Sequence, residues 1–319
     1  MSVINSANPG SHIPSLIFVD RLLNRRIIKN ADYYSIDLIL EENAPDNLFV
    51  KDILNDEGEF ELHDNPKKKL PEAIAFWSKI GLWETSDDGI KATSALSNDS
   101  NLADRIIRTI FDRKYEILTG NDIEPMIRAM CTFLALDKHS FGGEYLNSAE
   151  LALSNDKYMP LQSHEQTRLT INSSDASNFL EYGLLLGYME KIDNDRYIVD
   201  PTRLIKSCLA DLFESENTQK SPSLSIKVFI EKLNKKIPIF DGGEYRVKIE
   251  ELMQTQKNDW EPSPDYVISK SLSHALYRLK LEGEIFLDKR SDSLDSVTIQ
   301  LANNETEEVS HIELVGGLK

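Results

Sequence analysis

One pattern constrains the chain more than any other: an amphipathic helical stretch, a glycine, a short strand, a polar turn and a second strand, met three times. In the first copy, LPEAIAFWSKIGLWETSDDGIKATS sets Ile74, Trp77 and Ile80 at helical spacing and stops at Gly81. It continues through LWET, the Ser86-Asp87-Asp88-Gly89 turn and IKAT. In the second, Asp175 to Leu186 is the helix, Gly187 its stop, and YMEKI and YIVD are strands flanking Asp193-Asn194-Asp195. In the third, Lys270 to Leu281 is the helix, Gly283 its stop, and KRSDSLD joins the strands EIFLD and SVTIQL. The stopping glycines recur roughly every hundred residues, which marks diverged copies of one unit. Helix followed by hairpin is the closing half of a winged helix-turn-helix, with the helix as recognition element and the hairpin as wing.

Opening helices precede each copy. Pro14 to Ile28 keeps Leu16, Val19, Leu22 and Leu23 on one face, and Asn47 to Leu54 is read as a short second helix. Asp122 to Leu136, capped by Asp122, and Ser148 to Leu153 open the second copy; Leu224 to Leu233 and Glu244 to Met253 open the third. The expected fold is mainly α with short β-hairpins, a tandem array of three winged helix-turn-helix-like units at 1–98, 122–200 and 223–302. A connecting helix at 99–121 and a connecting helix and linker at 201–222 separate them, with helical cores at Asn101 to Lys114 and Pro201 to Ser215. The Asp/Glu/Asn-rich stretch Glu41 to Asp64 and an acidic tail at 303–319 read as poorly packed.

Charge limits what such an array can do. Among 319 residues, 36 are Lys or Arg against 53 Asp or Glu, so the net charge is -17 and broad wrapping of a phosphate backbone is excluded. Cys131 and Cys208 sit in apolar helical patterns, and two thiols build neither a disulfide framework nor a zinc site. No apolar run approaches the roughly 20 residues of a membrane helix, and the N-terminus lacks the features of a signal peptide, so a cytoplasmic protein without membrane contact is expected.

Catalytic signatures are missing: GxxxxGKS/T, GxGxxG, GxSxG and HExxH do not occur. His12, His63, His139, His164, His274 and His311 are scattered, and Glu61, His63 and Asp64 lie in an acidic stretch ill suited to holding a metal. Asp241, Glu244 and Lys248 are the one compact nuclease-like group, and the Asp-Gly-Gly turn is read instead as the cap of the helix that follows it. We therefore expect no catalytic residues, no metal, no cofactor and no enzyme activity.

The presumed recognition helices differ in charge. The second carries Asp175 and Glu181 with no Lys or Arg; the first has Lys67, Lys68, Lys69 and Lys79 opposed by Glu72 and neighbouring acids. The third places Lys270, His274, Arg278 and Lys280, together with Ser273 and Tyr277, around an apolar stripe of Leu272, Ala275, Leu276, Leu279 and Leu281, and its wing adds Lys289 and Arg290. These six residues are the candidate DNA contact, expected to bind duplex weakly and with strong salt dependence.

Several segments in order along the chain, PSLIFVDRLLNRR, AFWSKIGLWE, FLEYGLLLGYMEKIDNDRYIVDPTRLI, KLNKKIPIFDGGEYR and LSHALYRLKLEGEIFLDKRSD, resemble the DpdG family. Its members are accessory proteins of bacterial gene clusters that insert 7-deazapurine bases into DNA and defend against foreign DNA. The resemblance is strongest around IPIFDGGEYR and rests on hydrophobic and turn patterns, so it defines no catalytic residue; the acidic first insertion departs from the family's leaner pattern. It implies a non-enzymatic adaptor in an anti-foreign-DNA defence system, beside other protein subunits of a defence complex. A winged-helix transcriptional regulator and a metal-dependent nuclease subunit are the alternatives.

Overall fold

The computed structural model describes residues 2–25, 34–35, 39, 50–54, 60–62, 66–92, 101–161, 171, 173–214, 223–256, 260–264, 266–291, 295–302 and 305–315. Among them are ten α-helices and small antiparallel strand pairs, a mainly α chain with short β-hairpins. It divides into two compact units, Val3–Ile110 and Phe111–Lys319. His63, Asp64 and His164 lie outside the described residues.

In the first unit, α1 (Ile13–Arg25) packs against α2 (Pro66–Ile80). Leu16, Val19, Leu22 and Leu23 of α1 and Leu70, Ile74, Trp77 and Ile80 of α2 are all buried, as their helical spacing predicts. At the end of α2 the amides of Gly81 and Leu82 both donate to Trp77 O, at 3.0 and 2.9 Å. The hairpin β3 (Trp83–Ser86) to β4 (Gly89–Ala92) follows directly, and Tyr34 exchanges both backbone bonds with Ile90 on β4. Residues 50–54, expected as helix, form strand β1 (Val50–Leu54) paired with β2 (Phe60–Leu62). The run Val-Lys-Asp-Ile-Leu has a β-branched residue at each side of its centre, and pairing outweighed the weak helical spacing. Helix α3 (Leu102–Phe111) adds Ile106 and Ile110 to buried positions, and Arg105 forms a buried ion pair with Asp20 of α1.

The second unit is built on α4 (Glu124–Leu136), nearly every residue of which is buried. Asp122 does not cap it: the N-cap is Ile123, without a side-chain bond. Glu124 does the equivalent work in reverse, accepting from the amides of Leu118 and Gly120 at 3.0 and 2.9 Å and pairing with Arg128, whose Nη1 donates to Pro160 O. Around α4 lie α5 (Ser148–Tyr158), α6 (Ser173–Leu185), the hairpin β5 (Met189–Lys191) to β6 (Tyr197–Val199), and α7 (Thr202–Phe213). The same unit contains α8 (Ile226–Lys236), α9 (Glu244–Gln256) and α10 (Lys270–Leu281), with α9 packed on α4 and α10 on α7. The second and third sequence repeats thus share one compact unit.

Gly81, Gly187 and Gly283 follow α2, α6 and α10 with φ of 94°, 72° and 73°, the left-handed stop that only glycine adopts without strain. The strands after the third stop depart from expectation. Strand β8 (Ile285–Asp288) does not pair with β9 (Val297–Gln300); it pairs with β11 (His311–Leu314), which also pairs with β7 (Ser223–Ser225), while β9 pairs with β10 (Thr306–Val309). The reason lies in residues expected to be a loose acidic tail. Along 305–314 the glutamates alternate with or flank Val309, Ile312 and Leu314, and these three are buried while the acids face outward. That alternation makes two strands, and β11 completes a sheet whose inner face is Ile285, Leu287, Ile312 and Leu314. No helix among the described residues is long and apolar enough to cross a membrane.

Candidate functional site

Helix α10 carries four of the six predicted contact residues, and its start is held by carboxylates from two other elements. Ser269, the N-cap, accepts from Leu272 N; its own N–H and hydroxyl both donate to Asp241, at 2.7 Å each. Asp137, at the C-cap of α4, accepts from the amides of Lys270 and Ser271 at 2.8 and 3.4 Å. Two carboxylates thus meet the positive end of one helix dipole. Burial pushes the Asp137 carboxyl up to about 6 despite those amide bonds, and neighbouring Asp241 pushes in the same direction.

Asp241 therefore caps α10 in space and not α9, the helix that follows it in sequence. Glu244 and Lys248, its companions in the nuclease-like group, pair with each other at 2.8 Å. Among the described residues no group of His, Cys, Asp and Glu is arranged to hold a metal.

Further along α10 the predicted cations meet carboxylates of the same chain. Arg278 bonds Asp200, whose side chain is 1% exposed, and lies 3.2 Å from Glu190 and 3.7 Å from Glu282. Lys280 pairs with Glu307 at 2.9 Å, Lys289 with Glu308, and Arg290 with Glu313 at 2.9 Å and Asp288 at 3.4 Å. His274 packs edge-on to Phe141 with ring centroids 5.9 Å apart, and burial lowers its pKa below the ordinary value. Lys270 is exposed, with no ion pair among the described residues. Leu281, expected in the apolar stripe, is 70% exposed.

Beside the α10 start lies a cleft of about 660 Å³ within the second unit. It is lined by Lys227, Ile230, Glu231 and Asn234 of α8, by the Asp241-Gly242-Gly243 turn, by residues of α9, and by Trp260, Pro262, Pro264 and Ile268. Trp260 is held by its indole N–H donating to Ala135 O at 3.1 Å. Arg246 and Glu250 of α9 line the cleft as an ion pair, Nε to Oε1 at 2.5 Å.

A family model described as DpdG-like matches residues 1–293. The chain belongs to the DpdG-like family. The DpdG-like match ends between β8 and β9, and it takes in every residue lining the cleft except Val297. No curated protein and no solved structure matches the chain. Within the DpdG-like span the cleft takes in Asp241, Gly242, Gly243, Glu244 and Arg246 of the segment IPIFDGGEYR. Asn234, Arg246 and Trp260 carry no comparable signal in the sequence. An Arg-to-Glu spacing of four on a helix reads as an ordinary surface pair, and nothing in the residue pattern brings Trp260, Pro262 and Pro264 to the same cleft as α8.

Proposed function

We propose that the protein is a non-enzymatic adaptor of a dpd-type DNA modification and restriction system, binding other protein subunits and touching duplex DNA weakly through its third sequence unit. Membership of the DpdG-like family supports the pathway. The observation that carries the adaptor reading is the neutralisation of the α10 and β8 region: Arg278, Lys280, Lys289 and Arg290 each face at least one carboxylate of the same chain. A helix that reads the major groove keeps its cations for phosphates and base edges, and here a phosphate would first have to displace Asp200, Glu307, Glu308 or Glu313. The absence of phosphate-loop and hydrolase motifs from the sequence supports the non-enzymatic part.

In the finer reading of the fold, α2 with β3 and β4, and α6 with β5 and β6, are the helix and wing of winged helix-turn-helix-like units, and α10 with β8 and β11 is a variant of the same arrangement. Its wing is completed by a strand from further along the chain. The test of function is co-purification of the tagged protein with the products of neighbouring genes. An adaptor brings specific subunits down in fixed proportion. A protein recovered alone that instead binds one operator sequence tightly would return the regulator reading, and magnesium-dependent cleavage lost in Asp241→Asn would return the nuclease one.

A further inference from the structure

Between residues 301 and 315 stand Glu305, Glu307, Glu308 and Glu313, with no Lys or Arg among them. The strands that carry the last three are fixed in the fold, β10 by its pairing with β9 and β11 by β7 and β8 on either side. Their side chains meet the cations of α10 and of the β8 end. Both carboxylate oxygens of Glu307 accept from Lys280 Nζ, at 2.9 and 3.1 Å, and Glu308 pairs with Lys289. Glu313 accepts from Arg290 Nη2 at 2.9 Å, a nitrogen that also donates to Ser223 Oγ at 3.0 Å. Each contact is one that the anionic oxygens of a phosphate make with the same ammonium or guanidinium.

Exposure separates these three pairs from the fourth. Arg278 is tied to Asp200, whose side chain is 1% exposed, and a buried carboxylate left without its cation is costly, so that pair is structural. Lys289 and Glu308 are 58% and 52% exposed, and the side chains of the other two pairs between 28% and 40%. Pairs so open to water contribute little to stability and exchange readily. A polyanion that offers several phosphates at once, and gains from the counterions it sheds, can take these cations from single carboxylates.

We infer that Glu307, Glu308 and Glu313 act as an internal competitor for DNA: they occupy Lys280, Lys289 and Arg290 as phosphates would, and so hold the duplex affinity of the third sequence unit low. The inference rests on the duplex contact proposed above and adds its regulation.

The experiment measures filter binding of a short duplex of mixed sequence to the full chain. Glu307→Gln, Glu308→Gln and Glu313→Gln together keep side-chain size and strand pairing while removing three negative charges. Because this also changes the net charge, a matched chain carries Glu150→Gln, Glu251→Gln and Glu261→Gln, at three exposed glutamates elsewhere in the second unit. At low salt the first variant should bind duplex about tenfold or more tightly than the wild type, and its affinity should fall with salt more steeply by about two powers as Lys280 and Arg290 join the contact. The matched chain should stay close to the wild type. No gain in the first variant, or an equal gain in both, which would be an effect of total charge alone, overturns the inference. Should the first variant melt early, Glu308→Gln at the most exposed pair is read in its place, with a smaller gain expected and no gain overturning. Weak wild-type binding that the variant leaves unchanged sinks the competitor and keeps the duplex contact. Absence of binding in both sinks the two together, and co-purification still judges the adaptor by itself.

Discussion

Two titratable groups two residues apart pull stability in opposite directions as pH changes. Asp137 has its pKa raised from 3.8 to about 6, so the folded chain holds a proton that the unfolded chain has lost, and stability falls as pH rises from about 4 to 6. His139, its ring tilted against Phe133 and bonded to Glu144 O and Ser154 Oγ, has its pKa lowered from 6.5 to about 4 by burial. The unfolded chain binds its proton first, so stability falls as pH drops from 6.5 towards 4. The two slopes oppose each other. Relative to wild type, Asp137→Asn should gain stability as pH rises through that window, and His139→Gln should gain it as pH falls; urea midpoints at several pH values measure both. Arg278 makes a second case, because its partner Asp200 is buried and also accepts from Thr202. Arg278→Glu should cost about 2 kcal/mol or more in denaturant titration, a loss of folding that would mimic lost DNA binding. The charge of these side chains was plain in the sequence. Their partners were not, because Asp200 and Glu307 are far from α10 in the chain and only folding sets them beside it.

Helices and their glycine stops were the legible elements, since apolar spacing and a positive φ are local properties that one window of residues reveals. Strand partnership was not legible at the third repeat. A hairpin between neighbours is the default assumption, and here β8 had a better partner in β11, whose Ile312 and Leu314 cover Ile285 and Leu287. The glutamates that made 303–319 look like a tail are the solvent side of strands. Ile312→Ala, at a fully buried position between β7 and β8, should therefore cost about 2–4 kcal/mol, read as a lowered denaturation midpoint with an unchanged slope. A truly loose tail would show no change. The cleft was half legible: IPIFDGGEYR stood out, but Trp260, Pro262 and Pro264 come from an irregular stretch without periodicity.

At the scale of the molecule the net charge of -17 sets the terms of any encounter with DNA. With Arg278 and Arg290 held by internal carboxylates, Lys270 and Lys289 are the residues through which DNA contact is best tested, because Lys270 is exposed and Lys289 pairs only across a solvated rim. Binding should fall roughly as the second power of salt concentration, and Lys270→Glu with Lys289→Glu should abolish it while the melting temperature holds. Filter binding at several salt concentrations, run beside a thermal melt, measures both; tight binding insensitive to salt would place the contact elsewhere. Another consequence follows from the three-stranded sheet. Its middle strand, β11, is the last of the three to be made, joining β7 and β8 from well downstream of both. Until β11 is in place, β7 and β8 have no strand between them and Ile285 and Leu287 lie uncovered, the sort of apolar sheet edge that chaperones hold and that aggregation exploits. A chain cut before His311 should thus be recovered as aggregate rather than as a shortened native fold.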